Sequence, residues 1–123
     1  MRKMRVKFTL PQTPDPKILQ GVGALREGRE YVVLEVFSSS GGETVFRVEF
    51  IAGEDSALFD SRAFTVTCHH LPPTWQYFQL DTGSFSLCPE PWNQVGFWES
   101  YYEHEAHALE IYETEKQKIL SSS

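Results

Sequence analysis

Positive charge is missing from the stretch between Glu90 and Glu115, which carries seven glutamates and neither lysine nor arginine. The whole chain has 11 Lys and Arg against 17 Asp and Glu, a net charge of −6. The imbalance is uneven. Residues 1–50 hold eight basic and six acidic groups, whereas residues 51–123 hold three and eleven. A duplex nucleic-acid binder needs basic surface to displace counterions, and an anionic membrane attracts the same sign. Neither nucleic acid nor membrane is expected as a partner. A basic protein is.

Long apolar runs are also missing. The longest is Tyr31-Val32-Val33-Leu34, far short of the ~20 residues of a spanning helix. The basic residues 1–7 are not followed by an apolar stretch, so no cleavable signal is expected and the cytoplasm is the default location. Cysteine is scarce. Cys68 and Cys88 are too few for a disulfide scaffold; both are expected as thiols, with one bridge between them left open.

What is present suits one domain. The chain has 123 residues, 41% of them hydrophobic and 14% aromatic, enough to bury a core without disulfides or metal. The expected division is a β-rich part over about 4–88 and a helix over about 97–120.

Alternation carries the β reading. Met4, Val6, Phe8 and Leu10 alternate with Arg5, Lys7 and Thr9, as on a half-buried strand. Pro11, Pro14 and Pro16 end it. Tyr31 to Phe37 is a β-branched and aromatic run. After the loop 38–43, Phe46, Val48 and Phe50 line one face of the next strand, with Arg47 and Glu49 on the other. Leu58-Phe59 and Phe64 to Cys68 give two further pieces. Trp75 to Leu80 and Phe85 to Leu87 form a second hairpin around Asp81-Thr82-Gly83-Ser84. Five or six short, bent strands with frequent polar turns predict an α+β fold, a small antiparallel sheet or SH3-like barrel.

Near Asn93 the period changes to 3.6. From Phe97 to Leu120, Phe97, Trp98, Tyr101, Tyr102, Leu109 and Tyr112 share one broad sector of a single long helix, and Glu99, Glu103, Glu110 and Glu113 lie opposite. Glu105 falls inside the apolar sector, where a carboxylate needs an arginine or tyrosine partner.

No catalytic motif emerges. Leu80-Asp81-Thr82-Gly83-Ser84 matches an aspartic-protease loop, but that chemistry requires two carboxylates sharing a proton, and no flap or closing segment follows. Asp-x-Gly between apolar strands is an ordinary turn. Cys68, His69, His70, Cys88, His104 and His107 do not have zinc spacing: adjacent strand residues His69 and His70 would face opposite ways, and His104 and His107 are not at i and i+4. Ser61 and Ser84 lie in turns, and Gly21-Val22-Gly23 is not a phosphate loop. No cofactor, metal or catalytic residue is expected.

The acidic helix face carries the functional expectation. One reading is a solvated face that keeps the protein soluble. The other is a docking surface, with Glu99, Glu103, Glu110 and Glu113 steering a basic partner and Trp92 and Trp98 as apolar anchors. A homodimer joined by aromatic surface is a rival, and a small hydrolase using Asp81 a more distant one.

The segments Leu25-x-x-Gly28-x-x-Tyr31 and Leu58-Phe59-Asp60-Ser61-Arg62-Ala63-Phe64 resemble those of SH3-like barrels in small bacterial proteins. Pro91-Trp92, then Gly96-Phe97-Trp98-Glu99 and an acidic helix, is similar to small immunity-type proteins of toxin–antitoxin and interbacterial competition systems. The resemblance spans about residues 25–120. It implies a non-enzymatic, toxin-neutralising inhibitor whose acidic surface occludes a basic toxin or effector domain.

Overall fold

The computed structural model describes residues 3–9, 16, 22–50, 56–80 and 83–121. Asp81 and Thr82 lie outside the described residues, and so does most of the proline-bearing segment that follows the first strand. Eight strands are described rather than five or six: β1 (Met4–Phe8), β2 (Glu30–Val32), β3 (Glu35–Ser38), β4 (Thr44–Glu49), β5 (Ser56–Asp60), β6 (Phe64–His69), β7 (Gln76–Gln79) and β8 (Phe85–Cys88). Two helices follow, α1 (Phe97–Tyr102) and α2 (Ala106–Leu120).

The fold is α+β, with two separate antiparallel sheets. One has the order β2-β1-β6 and the other β5-β4-β3-β8-β7. The extra strands come from division of runs that read as continuous. Tyr31 to Phe37 splits at Val33-Leu34. Its first half pairs with β1, where Val6 sits opposite Tyr31. Its second half pairs with β4, where Glu35 sits opposite Arg47. The chain thus changes sheets in two residues. Both hairpins read from the sequence form, β3 with β4 and β7 with β8.

Side chains alternate across a strand, and here both faces of the five-stranded sheet are covered. Val36, Phe46, Val48 and Phe59 join Val6, Phe8 and Phe64 in the first core, packed against the three-stranded sheet. Leu34, Cys88 and Trp92 join Phe97, Tyr101, Tyr112 and Ile119 in a second core under the helices. The polar residues alternating along β4 therefore do not face solvent. Arg47 is buried and Glu49 is partly buried beneath the helical segment.

The helical segment is two helices, not one. The α1 helix ends in a hydrogen-bonded reversal: His104 N–H donates to Tyr101 O at 3.0 Å and Glu105 N–H to Ser100 O at 3.0 Å. His104 takes φ 60°. This is the left-handed helix terminus usually given to glycine, so no composition signal announced it. Glu105 then adopts extended backbone as the residue capping α2, and it is exposed. Its expected place inside the apolar sector came from running one helical wheel through the break.

Candidate functional site

The helical face of the five-stranded sheet carries a cleft. Glu35 on β3, Arg47 on β4 and Leu58 on β5 lie in register as neighbours across three strands. Phe37 and Ser86 are paired neighbours on β3 and β8. These residues form one side of a cavity of about 270 Å³, and Trp92 and Trp98 line it from the helical segment. Leu58 and Gln94 are its exposed lining residues and mark its mouth.

Arg47 organises this region. It is 3% exposed, and an arginine there must be paired. Its Nε–H donates to Glu35 Oε1 at 2.7 Å. Its Nη1 donates to Tyr102 Oη at 2.6 Å and to Ser56 Oγ at 3.4 Å. Its guanidinium carbon lies 3.5 Å from the centre of the Trp98 ring, a cation–π contact. One side chain on β4 thus engages both sheet and helix. The hydroxyl of Tyr101 adds a second tie, accepting from Ser56 N–H at 2.9 Å.

Around Arg47 and Tyr101, half of the buried residues of the second core are aromatic. Trp92 stacks on Tyr112 with centroids 5.4 Å apart, and Trp98 meets Tyr101 edge-on at 5.2 Å. Burial pushes the Cys88 thiol well above its ordinary range, and the neighbouring Glu35 adds to the effect. Tyr112 is raised too, first by burial and then by Tyr101 and Glu49. Its hydroxyl donates to Glu49 Oε2 at 2.8 Å, and Lys116 Nζ donates to the same oxygen at 3.0 Å. Burial lowers the Lys116 ammonium, but its hydrogen bonds to Glu113 and Glu49 together leave it raised.

The expected docking residues separate into three groups. Glu99, Glu103 and Glu110 are exposed, as is Glu105, and among the described residues none makes a salt bridge. Glu113 is exposed but pairs with Lys116 at 2.9 Å, which, with Gln117, holds its carboxyl below the usual range. Trp92 is 1% exposed and Trp98 is half-buried against Arg47; both are committed to the core and are not free anchors. The exposed apolar residues of this region are Val95 and Tyr102. A Cβ added at Gly96 would lie 3.8 Å from Glu99 Oε2, so this carboxylate sits beside the backbone next to Val95.

Cys68 and Cys88 are both free thiols. Among the described residues no group of three His, Cys, Asp or Glu side chains is placed to hold a metal ion. His69 and His70 do not point apart; their rings stack at 5.6 Å, because β6 ends at His69 and the alternation stops there. No helix among the described residues is long and apolar enough to cross a membrane. Sequence reasoning missed the cleft because Arg47 and Glu49 read as a solvent face. The available signal was the surplus of aromatics after Trp92, more than one helix stripe could bury against a single sheet face. Comparison of the chain with protein-family models, with curated proteins and with solved structures gives no match.

Proposed function

We propose that this chain is a non-enzymatic binding protein that occludes a basic protein partner with the acidic outer side of its helical segment. The observation that carries the reading is that Glu99, Glu103, Glu105 and Glu110 are all exposed and make no salt bridge within the described chain. Uncompensated carboxylates raise the rate and selectivity of encounter with a positive surface. Val95 and Tyr102, both exposed, take the anchoring role first given to Trp92 and Trp98. Glu113 drops out, since Lys116 already neutralises it.

The partner class is a basic toxin or effector domain, as the likeness to small immunity-type proteins implies. On this reading the two sheets are an opened counterpart of the small SH3-like barrel, with the helices added over one face. The test is capture from the native lysate with wild-type chain and with Glu99→Lys, Glu103→Lys, Glu110→Lys combined. Recovery of a basic protein by the wild type alone supports the reading. Equal recovery by the folded triple variant contradicts it.

A further inference from the structure

Each sheet has two outer strands, and three of the four are blunted against pairing with another chain, the usual treatment of an edge. β2 is three residues long and carries Glu30 in an ion pair with Arg5. The end of β5 is occupied by α1: Ser56 N–H donates to Tyr101 Oη at 2.9 Å, and Tyr102 Oη donates to Ser56 O at 3.1 Å. The β6 ladder shifts register between Arg5 and Val6, and such a bulge twists an edge away. The fourth, β7, has no charged residue, no proline and no register shift. Leu80 continues its ladder by donating to Ser84 O at 2.8 Å. Among the described residues β8 is its one neighbour in the sheet.

The Leu80 bond sets the geometry of this edge. In an antiparallel ladder alternate residues turn their backbone groups to the neighbouring strand. Gln76 and Phe78 therefore face β8 as Leu80 does, and the N–H and C=O of Tyr77 and Gln79 point to the open side. Tyr77 is 60% exposed, and Gln79 is exposed too. These two residues lie symmetrically about Phe78. A second β7, run antiparallel with Phe78 opposite Phe78, pairs each Tyr77 with the other copy's Gln79, and each pair exchanges both backbone bonds. The partly buried Phe78 rings then meet in a non-hydrogen-bonded pair, where side chains approach most closely.

Charge favours a second copy as the added strand. Two chains at −6 repel one another, so they meet best where charge is scarce. Residues 63–89 hold Asp81 and no other Asp, Glu, Lys or Arg, although 23% of the chain is charged. Depletion of charge marks the centre of protein interfaces. The same stretch carries Val66, Leu71 and Tyr77, all exposed. A basic partner gains no ion pair from β7, whereas a copy of this chain matches it in both backbone and charge.

We infer that the chain forms a two-fold homodimer by antiparallel pairing of β7 with β7 of a second copy, joining the two five-stranded sheets end to end. The inference is independent of the acidic helical surface, since β7 carries none of its glutamates.

The test is sedimentation equilibrium of the full chain from micromolar to millimolar concentration at low and high salt, with circular dichroism to confirm folding. The wild type is expected to dimerise, and no more weakly at high salt than at low, because uncharged contacts are not screened. Gln79→Pro removes an N–H on the open side without taking a bond from β8 and is expected to be monomeric. Tyr77→Lys combined with Gln79→Lys sets like charges opposite each other and is expected to weaken the dimer about tenfold or more. Tyr77→Lys combined with Gln79→Glu sets unlike charges there and is expected to restore it. The Glu99→Lys, Glu103→Lys, Glu110→Lys variant is expected to dimerise at least as well as the wild type. A wild type that stays monomeric, a folded Gln79→Pro variant that still dimerises, equal affinity of the two double variants, or loss of the dimer in the triple variant would each overturn the pairing.

Discussion

The guanidinium of Arg47 lies over the indole of Trp98, 3.5 Å from its centre, and this contact joins the five-stranded sheet to the helical segment. Arg47 also holds Glu35 through its Nε–H and Tyr102 through Nη1. The helix α1 therefore has a polar anchor as well as an apolar one. Because α1 carries Glu99 and leads into Glu103 and Glu105, the orientation of the acidic surface depends on a buried cation.

Removing that cation leaves Glu35 charged and buried. Arg47→Met is expected to destabilise the fold by about 3–5 kcal/mol, the usual cost of breaking a buried pair from one side. Glu35→Leu combined with Arg47→Met is expected to cost less than Arg47→Met alone, since it removes both charges together. Urea unfolding of the three proteins checks the order. A double variant less stable than the single variant would show that the pair is not electrostatically coupled.

The left-handed residue at the end of α1 gives a second prediction. His104 has φ 60°, where a Cβ is disfavoured and glycine is not. Stability is expected to fall in the order His104→Gly, His104→Asn, His104→Ala, His104→Val, with about 1–2 kcal/mol between the glycine and valine variants. Thermal unfolding measures it. Alanine matching glycine would mean that the reversal does not persist in solution.

Much of the β architecture was legible because period-two alternation survives in short segments. The strands read over Met4 to Leu10 and Val45 to Ile51 correspond to Met4–Phe8 and Thr44–Glu49, and the two hairpins form as read. The change of sheet at Val33-Leu34 was not legible, because an apolar run looks the same whether it crosses one sheet or passes between two. The break at His104 was hidden for a related reason: the left-handed position holds histidine where glycine would have signalled it. Glu99, Glu103 and Glu110 were found because exclusion of Lys and Arg is a property of composition. The Glu35–Arg47 cleft was not, since a charged residue alternating with apolar ones on a strand reads as exposed unless the layer covering it is known.

The two thiols are expected to react differently. Cys88 is fully buried and its thiol is raised by burial and by Glu35, whereas Cys68 is partly exposed. Since the thiolate is the nucleophile, iodoacetamide is expected to label Cys68 in the native protein and Cys88 only after unfolding. Peptide mass mapping distinguishes the two, and native labelling of Cys88 would contradict the packing of the second core.

Stability is expected to fall at both ends of the pH scale. Cys88, Tyr112 and Lys116 all have raised values in the fold, from ordinary values of 9.0, 10.0 and 10.5. Their contribution is complete below those values and is lost as pH rises through them, because the unfolded chain gives up its protons first. Asp60 is lowered from 3.8 by its hydrogen bonds with Arg62, and Glu113 from 4.5 by Lys116. Their contribution is present above those values and is lost on acidification. Each of these ion pairs has one partner about half exposed, Arg62 in one and Glu113 in the other, so solvent screens both and the alkaline loss is expected to be the larger. Urea midpoints that stay constant from pH 8 to pH 11, a window set by the linkage of the buried groups at roughly 9–10.5, would contradict this.

The most direct test of the docking surface is the affinity of the captured basic partner, measured by titration calorimetry at two salt concentrations. Wild-type chain is expected to bind more weakly at high salt, because exposed charges are screened over about 8–10 Å at physiological ionic strength, and the folded Glu99→Lys, Glu103→Lys, Glu110→Lys variant is expected not to bind. Affinity that ignores salt and is unchanged in the variant would contradict a role for these carboxylates.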